Sequence, residues 1–348
     1  MKFSNIIGNV PYQKESGGVR PKEIYSDFII KSYGLNPRRI SLIVPTRWYN
    51  GSTPGMHKVR ELILNNYTSI IVDYPKADDI FDDTQISGGV CYWLWSKNKY
   101  VDECTVKHVI NNSVSIFKEK LNSEIFIRYK QGLSILNKVN KLNEFRLNGT
   151  YGFWKTFVNI HINDRFKENG KIKFIAKDGY TSYLDEHDIN TDMINLVPKY
   201  KVITGAMTPG GGIQKSDKYS VINVPRIIEP YEVFSDYYYI LGVFDSLDEA
   251  KNFESYICTK FVRVLIQLIN NTTSFNQTKF RYIPIQNWGE SWSDDKLYIK
   301  YGLTQEEKEF IESLIKDIKQ EKKLDKSDNK ISDFSEFMNK PEGIDYEI

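Results

Sequence analysis

At 348 residues the chain is long enough for two domains, each with its own core. Its 41% hydrophobic content, with 23 Tyr and 19 Phe, is that of a folded protein and excludes wholesale disorder. A formal net charge of only +2 does not mark the whole chain as a nucleic-acid binder, although a basic face can exist where its balancing acids lie elsewhere. Cys91, Cys104 and Cys258 form no CxxC pair and no Cys/His set at ligand spacing, so neither a zinc site nor a disulfide framework is expected. An odd cysteine count without a signal-peptide pattern favours a reducing, cytoplasmic setting. No apolar run approaches the ~18 residues that span a bilayer, so no membrane partner is expected.

The chain begins with a strand-like run, Phe3-Ser4-Asn5-Ile6-Ile7, which stops at Gly8-Asn9. A helix follows, with Ile24, Tyr25, Phe28, Ile29 and Tyr33 at helical spacing. "ISLIVP" (40–45) reads as a strand ended by proline, "MHKVRELILNN" as a helix, and "TSIIVDY" and "GGVCYWLWS" as strands. Strands apolar on both faces, alternating with helices, predict a parallel sheet covered on both sides. Residues 111–145 read as a helix-prone connector, and residues 146–245 as a β-rich region of short runs such as "GKIKFIA", "KYKVITG" and "YSVINVP". Two helices close the fold, each opened by a capping box: Ser246 with Glu249, and Thr304 with Glu307. Beyond about residue 319 the chain is charged and thinly apolar.

Asn9-Val10-Pro11-Tyr12 closes the first strand. The exocyclic amine of adenine is a poor nucleophile because its lone pair is delocalised into the ring. An Asn amide oxygen and a backbone carbonyl, both accepting from that amine, draw it toward tetrahedral geometry and free the lone pair. Pro11 holds Val10 extended, which aims the Val10 carbonyl outward, and Tyr12 offers a flat face to a base taken out of the stack. The strand's carboxyl end is where ligands bind in open α/β sheets.

The tetrad resembles the Asn-Pro-Pro-Tyr motif of the adenine-specific DNA methyltransferases of type II restriction–modification systems, with Val10 in place of the first proline. "IYSDFIIKSYGLNPRRISLIVPTRW" and "SIIVDYPKADDIFDDTQISGGVCYWLW" look like later stations of the same group. Within the second of these, Phe81 matches an aromatic residue that packs against the flipped adenine. "YGFWKTF", "KYKVITG", "TKFVRVLIQL" and "FRYIPIQNWGESWSDDKLYIKYGLTQEEKEFIESLI" look like the family's target-recognition domain. The resemblance implies an α/β fold: the later half of a Rossmann-like methyltransferase sheet, then a β-rich or α+β recognition domain. It divides the chain into a partial catalytic domain (1–110), a helical connector (111–145), a recognition domain (146–318) and a charged tail (319–348).

In that family the S-adenosylmethionine site precedes the tetrad as a Gly-rich turn and an acidic residue. Gly210-Gly211-Gly212 lies in the recognition region and Gly88-Gly89 precedes a strand, so neither gives the GxGxxG pattern. The expectation is therefore that the cofactor site lies mostly outside this chain and that a complementary methyltransferase half completes the sheet. Double-stranded DNA is the implied substrate, and a restriction subunit is a second possible partner. No metal is called for, because the sulfonium already activates the methyl group. A different class also fits: a catalytically inactive, sequence-specific DNA-binding module, or a degenerate remnant.

Candidate DNA contacts are Arg47, Lys155, Lys199, Lys201, Lys279 and Arg281, since phosphates attract Lys and Arg. The histidines His57, His108, His161 and His187 lie apart from any nucleophile or ligand set in sequence, and Asp185-Glu186-His187-Asp188 reads as a solvated turn.

Overall fold

The computed structural model describes residues 3–16, 19–50, 54–82, 86, 88–111, 113–121, 125–147, 151, 157–158, 167–176, 181–207, 209, 218–270 and 277–318. The tail from 319 onward, "GAMTPGGGI" beyond Pro209, and Lys155 lie outside the described residues. In chain order the amino-terminal elements are β1 (Asn5–Asn9), β2 (Gln13–Ser16), β3 (Val19–Glu23), α1 (Tyr25–Gly34), β4 (Arg39–Pro45), α2 (Pro54–Ile63), β5 (Thr68–Tyr74), β6 (Val90–Ser96), β7 (Cys104–Ile110) and β8 (Ser113–Glu119). Six of them form one sheet in the order β1-β4-β6-β5-β7-β8.

The sheet is mixed, which corrects the all-parallel expectation. β1 runs parallel to β4, and β5 to β7, but β6 lies antiparallel between β4 and β5. The physical reason is the connection. Strand-to-strand crossovers with a helix make parallel neighbours, whereas β5 passes to β6 through a short 3-10 turn (Ala77–Asp79) and, among the described residues, no α-helix. The connector reading of 111–145 also fails at its start. β8 is a strand, hairpinned to β7 about Asn111, which adopts φ 47°. Two asparagines between β-branched runs are a hairpin signal.

One face of the sheet is packed. Leu42, Val44, Trp93, Ile71 and Val106 meet Tyr25 and Ile29 of α1 and Met56, Val59 and Ile63 of α2 in a single core. The helices form because those apolar residues recur every three or four positions. The opposite face carries Ile7, Val114 and Ile116, which are 80%, 57% and 61% exposed. Among the described residues, then, the expected double cover does not reach the edge strands β1 and β8 on that face.

Glu119 ends β8 on the packed face, with Oε2 buried and without a hydrogen-bond partner among the described residues. Burial raises its carboxyl to about 7. A carboxyl raised in the folded state loses stability as pH climbs from the unfolded value through the folded one. Glu119→Gln is therefore expected to match the parent at pH 4 and exceed it at pH 8. The gain is on the order of 3–4 kcal/mol, since each pK unit is worth about 1.4 kcal/mol. Thermal melts at the two pH values check this; equal gains at both contradict it.

The remaining elements are α3 (Lys130–Lys141), β9 (Ile172–Ile175), β10 (Thr181–Leu184), β11 (Tyr200–Gly205), β12 (Arg226–Ile228), β13 (Glu232–Phe234), β14 (Tyr238–Phe244), α4 (Leu247–Cys258), α5 (Lys260–Leu268), α6 (Asp294–Lys300) and α7 (Gln305–Leu314). Two three-stranded sheets, β10-β9-β13 and β12-β11-β14, make the β-rich region. The helices α3, α4, α5 and α7 pack with β11 and β14 around Phe253, Tyr256, Phe261 and Leu265. Thr304 and Glu307 make the full capping box at α7, whereas at α4 the Ser246 hydroxyl accepts from the Glu249 amide, which is one half of the box the sequence indicates. The first of the two closing helices, the one opened by Ser246, is instead two helices, α4 and α5. Thr259 turns to an extended conformation between them and caps the second with its own hydroxyl. Residues 1–318 belong to one compact unit.

Candidate functional site

The carboxyl ends of β1, β4 and β5 and the amino end of β6 form one rim of the sheet, because of these four strands β6 runs the other way. Asn9 is the last residue of β1 and is exposed; it pairs in register with Ile43, on the face opposite the packed core. Val10 is half-buried against the core, Pro11 is exposed, and Tyr12 is half-buried. The Tyr12 carbonyl accepts from the Ile24 amide at 3.2 Å, so the β2–β3 hairpin leaves and returns at the tetrad. The Tyr12 hydroxyl is buried with no hydrogen-bond partner among the described residues. Burial, with the Cys91 thiol adding to it, pushes that phenol up to about 12, so it is protonated and a donor at neutral pH. An orphaned donor beside an exposed Asn is a feature that calls for an outside partner.

Phe81 lies beyond β5, half-buried, its amide held by the Ala77 carbonyl at 2.9 Å. Three strand spacings separate the ends of β1 and β5, roughly 14 Å at about 4.8 Å each. Among the described residues no ring contact joins Tyr12 to Phe81. The rim thus holds both aromatics, one at each side, with the turn after β4 between them.

Beneath the rim lies a charged cluster that the sequence did not flag. Asp73 of β5 is fully buried. It accepts from the Tyr49 hydroxyl at 2.8 Å and bonds His108 Nδ1 at 2.8 Å, and Arg128 Nη2 lies 3.4 Å away. Although burial pushes the Asp73 carboxyl up, the Arg128 guanidinium and the hydrogen bonds from His108 and Tyr49 hold it below the ordinary range. Burial likewise opposes the charge on Arg128, but Asp73 more than restores it. Sequence spacing gave no warning, because Asp73 and His108 are 35 positions apart.

The candidate DNA contacts separate. Arg47 is exposed in the turn after β4, and Arg281 is exposed with its guanidinium 5.6 Å from the Tyr282 ring. Lys199 is ion-paired with Asp245. Lys201 is fully buried, donating to the Val197 carbonyl at 3.1 Å, and burial lowers its ammonium to about 8. Lys279 is buried too and lowered to about 7. Neither buried ammonium presents a surface to a phosphate in this conformation. Asp185, His187 and Asp188 converge within 4.8 Å, yet Asp188 is buried and closes its own turn by accepting from the Asp185 amide, so the turn is less solvated than its sequence indicates.

Among the described residues, Gly88-Gly89 does not make a Gly-rich strand-to-helix turn; Gly210-Gly211-Gly212 lie outside them. Gly88-Gly89 leads into β6, not a helix, and the Gly88 carbonyl is taken up by Thr46 and Arg128.

Residues 1–81 match the family model described as Eco57I restriction-modification methylase, the stretch that carries the tetrad and reaches Phe81. An uncharacterized adenine-specific methylase of Mycoplasma pneumoniae (strain ATCC 29342 / M129 / Subtype 1) is 25% identical over 167 residues, 43% of this chain and 40% of that protein. The match therefore spans less than half the length of that curated relative. Among solved structures, the type IIG restriction endonuclease BpuSI is 12% identical with a TM-score of 0.33, covering 85% of this chain and 45% of that one. The type IIL restriction-modification enzyme MmeI in complex with DNA is 10% identical with a TM-score of 0.40, covering 80% and 45%. Likeness at that level assigns no residue a role.

Proposed function

We propose that the chain supplies the adenine pocket and target-recognition part of an adenine-specific DNA methyltransferase of a restriction–modification system, working with a complementary half that holds S-adenosylmethionine. The observation that carries this reading is the Asn9–Tyr12 tetrad at the carboxyl end of β1, inside the segment similar to the restriction-modification methylases. The Asn9 amide oxygen and the Val10 carbonyl accept from the adenine amine, Pro11 fixes their geometry, and Tyr12 and Phe81 hold the base from either side. S-adenosylmethionine, when bound to the complementary half, supplies an electrophilic methyl group. β1 suits such a partner: it is the edge of the six-stranded sheet, and Ile7 stands 80% exposed on it. Edge strands that display apolar side chains invite pairing. The part from 146 to 318 reads the target, with Lys199 and Arg281 as its accessible cations among the described candidates and Arg47 adding a third from the turn after β4. The setting is cytoplasmic, and among the described residues no helix is long and apolar enough to cross a membrane.

Asn9→Ala is expected to lower methyl transfer by the completed enzyme ~10²–10³-fold, the usual cost of losing one preorganised hydrogen-bonding group, while DNA affinity stays within about twofold of the parent. Labelled-methyl incorporation and fluorescence anisotropy on the same duplex measure the two. Equal loss of both removes Asn9 from catalysis. Transfer by the chain alone removes the need for a complementary half. Retained DNA binding without transfer in any combination favours the inactive recognition module.

A further inference from the structure

Four chain segments end on one guanidinium below the rim. Arg128 Nη2 donates to the Gly88 carbonyl at 2.8 Å and to Thr46 Oγ1 at 3.2 Å, and it faces Asp73 Oδ1 at 3.4 Å. The guanidinium also lies 5.3 Å from the centre of the Tyr49 ring. Thr46 donates its own hydroxyl to the same Gly88 carbonyl at 2.6 Å, and its amide bonds the Gly89 carbonyl at 3.1 Å. The turn after β4, the end of β5, the turn into β6 and the segment entering α3 are thereby tied at a single point.

We propose that Arg128, acting with Thr46, is a positioning residue for the base pocket: it fixes the Gly88-Gly89 turn, and with it both the Cys91 stretch that packs near Tyr12 and the β5–β6 connection that carries Phe81. The inference rests on the pocket assignment above and extends it to residues outside the tetrad. A buried ion pair is weak evidence for stability as such, because well-packed apolar residues often do as well. What an apolar residue cannot supply is direction. Both bonds leave one nitrogen, Nη2, whose two N–H groups are held in the guanidinium plane and so point in fixed directions at a carbonyl and a hydroxyl, and both acceptors belong to turns at the rim. Next along the chain, Tyr129 packs edge-on against His108 at 4.8 Å and against Phe310 of α7 at 5.4 Å. His108 in turn holds Asp73, so the same cluster joins the pocket floor to the helices of the carboxyl-terminal part.

Thr46→Val removes the hydroxyl at nearly constant shape, and Thr46→Ser restores it; Arg128→Lys keeps the charge and loses the planar, fixed direction of the Nη2 donors. The assays use the full chain with its complementary half, well below the melting midpoint of every variant. Thr46→Val and Arg128→Lys are expected to lower kcat roughly 10- to 100-fold, the range that a displacement near 1 Å produces, with KM for DNA unchanged. Fluorescence of 2-aminopurine at the target should fall in the same two variants and recover in Thr46→Ser. Wild-type kcat and fluorescence in both variants overturn the proposal, and so does a rise in KM alone. Should the parent transfer no methyl group at all, the pocket assignment fails first. Hydrogen exchange of the Gly89 amide in the chain alone then decides the positioning claim: faster exchange in Thr46→Val than in Thr46→Ser supports it, and equal exchange overturns it.

Discussion

Asp73→Ala is expected to lower the unfolding free energy by about 3–5 kcal/mol, the cost of leaving a buried ion without its partner. Asp73 is fully buried, and three groups lean on it: the Tyr49 hydroxyl and His108 Nδ1 at 2.8 Å each, and Arg128 at 3.4 Å. Alanine leaves Arg128 charged and buried, because burial cannot strip a proton from a guanidinium at neutral pH. In a chain of 348 residues, at about 2.1 cal/mol/K per residue, each kcal/mol moves the melting midpoint by about 1.4 °C, so a drop of roughly 4–7 °C follows. Asp73→Asn is expected to cost less, since an amide oxygen still accepts one of the three bonds. The pair Asp73→Leu with Arg128→Met should lose less than Asp73→Ala alone, because no charge is then stranded. The pH dependence has a definite sign. Asp73 is held below the ordinary aspartate value of 3.8, so its contribution is present above that value and is lost as pH falls toward the lower folded one. Thermal melts of the four proteins at pH 7 and of the parent down an acid series provide the check. A double variant as unstable as Asp73→Ala contradicts the account.

Parts of this arrangement were legible in the residues alone. β5 occupies the "TSIIVDY" run, β4 ends at the proline that closes "ISLIVP", and Ser246 and Thr304 cap their helices. These features depend on local propensity, which a sequence carries directly. The tetrad's position at a strand end was legible for the same reason. What escaped depends on how elements meet. The antiparallel placement of β6 follows from the route taken between β5 and β6, and hydrophobicity is the same for either direction. Lys201 sits in β11, whose four central residues are all buried. On such a strand alternation no longer separates inside from outside, so a lysine whose stem is buried and whose ammonium reaches backbone carbonyls looks like a surface cation in sequence. The Asp73 cluster gathers residues from β5, β7, the turn after β4 and the segment before α3, and only the sheet order brings them together.

Gly89→Ala is expected to be the most damaging single change in the rim. Gly89 adopts φ +81°, and a Cβ built there would lie 1.9 Å from the Tyr74 carbonyl oxygen and 2.5 Å from that of Pro75. Both obstacles are backbone, so no rotamer change relieves them. The left-handed conformation alone costs an L-residue about 1–2 kcal/mol, and the overlap forces the turn to move as well, for a total on the order of 4 kcal/mol or more. The displaced turn takes with it the Thr46 amide bond to the Gly89 carbonyl and the register of Val90 against Tyr74 and Pro45. Loss of stability should therefore come with loss of the pocket: 2-aminopurine flipping by the completed enzyme is expected to vanish at temperatures where the variant remains folded. Gly34→Ala is the matched comparison. Gly34 ends α1, and a Cβ there meets nothing within 4 Å, so alanine at that position should be neutral or stabilising by up to about 1 kcal/mol. A Gly89→Ala protein that melts with the parent and still flips its base would show that the turn into β6 has room to yield, and that the rim is not held at Gly88-Gly89.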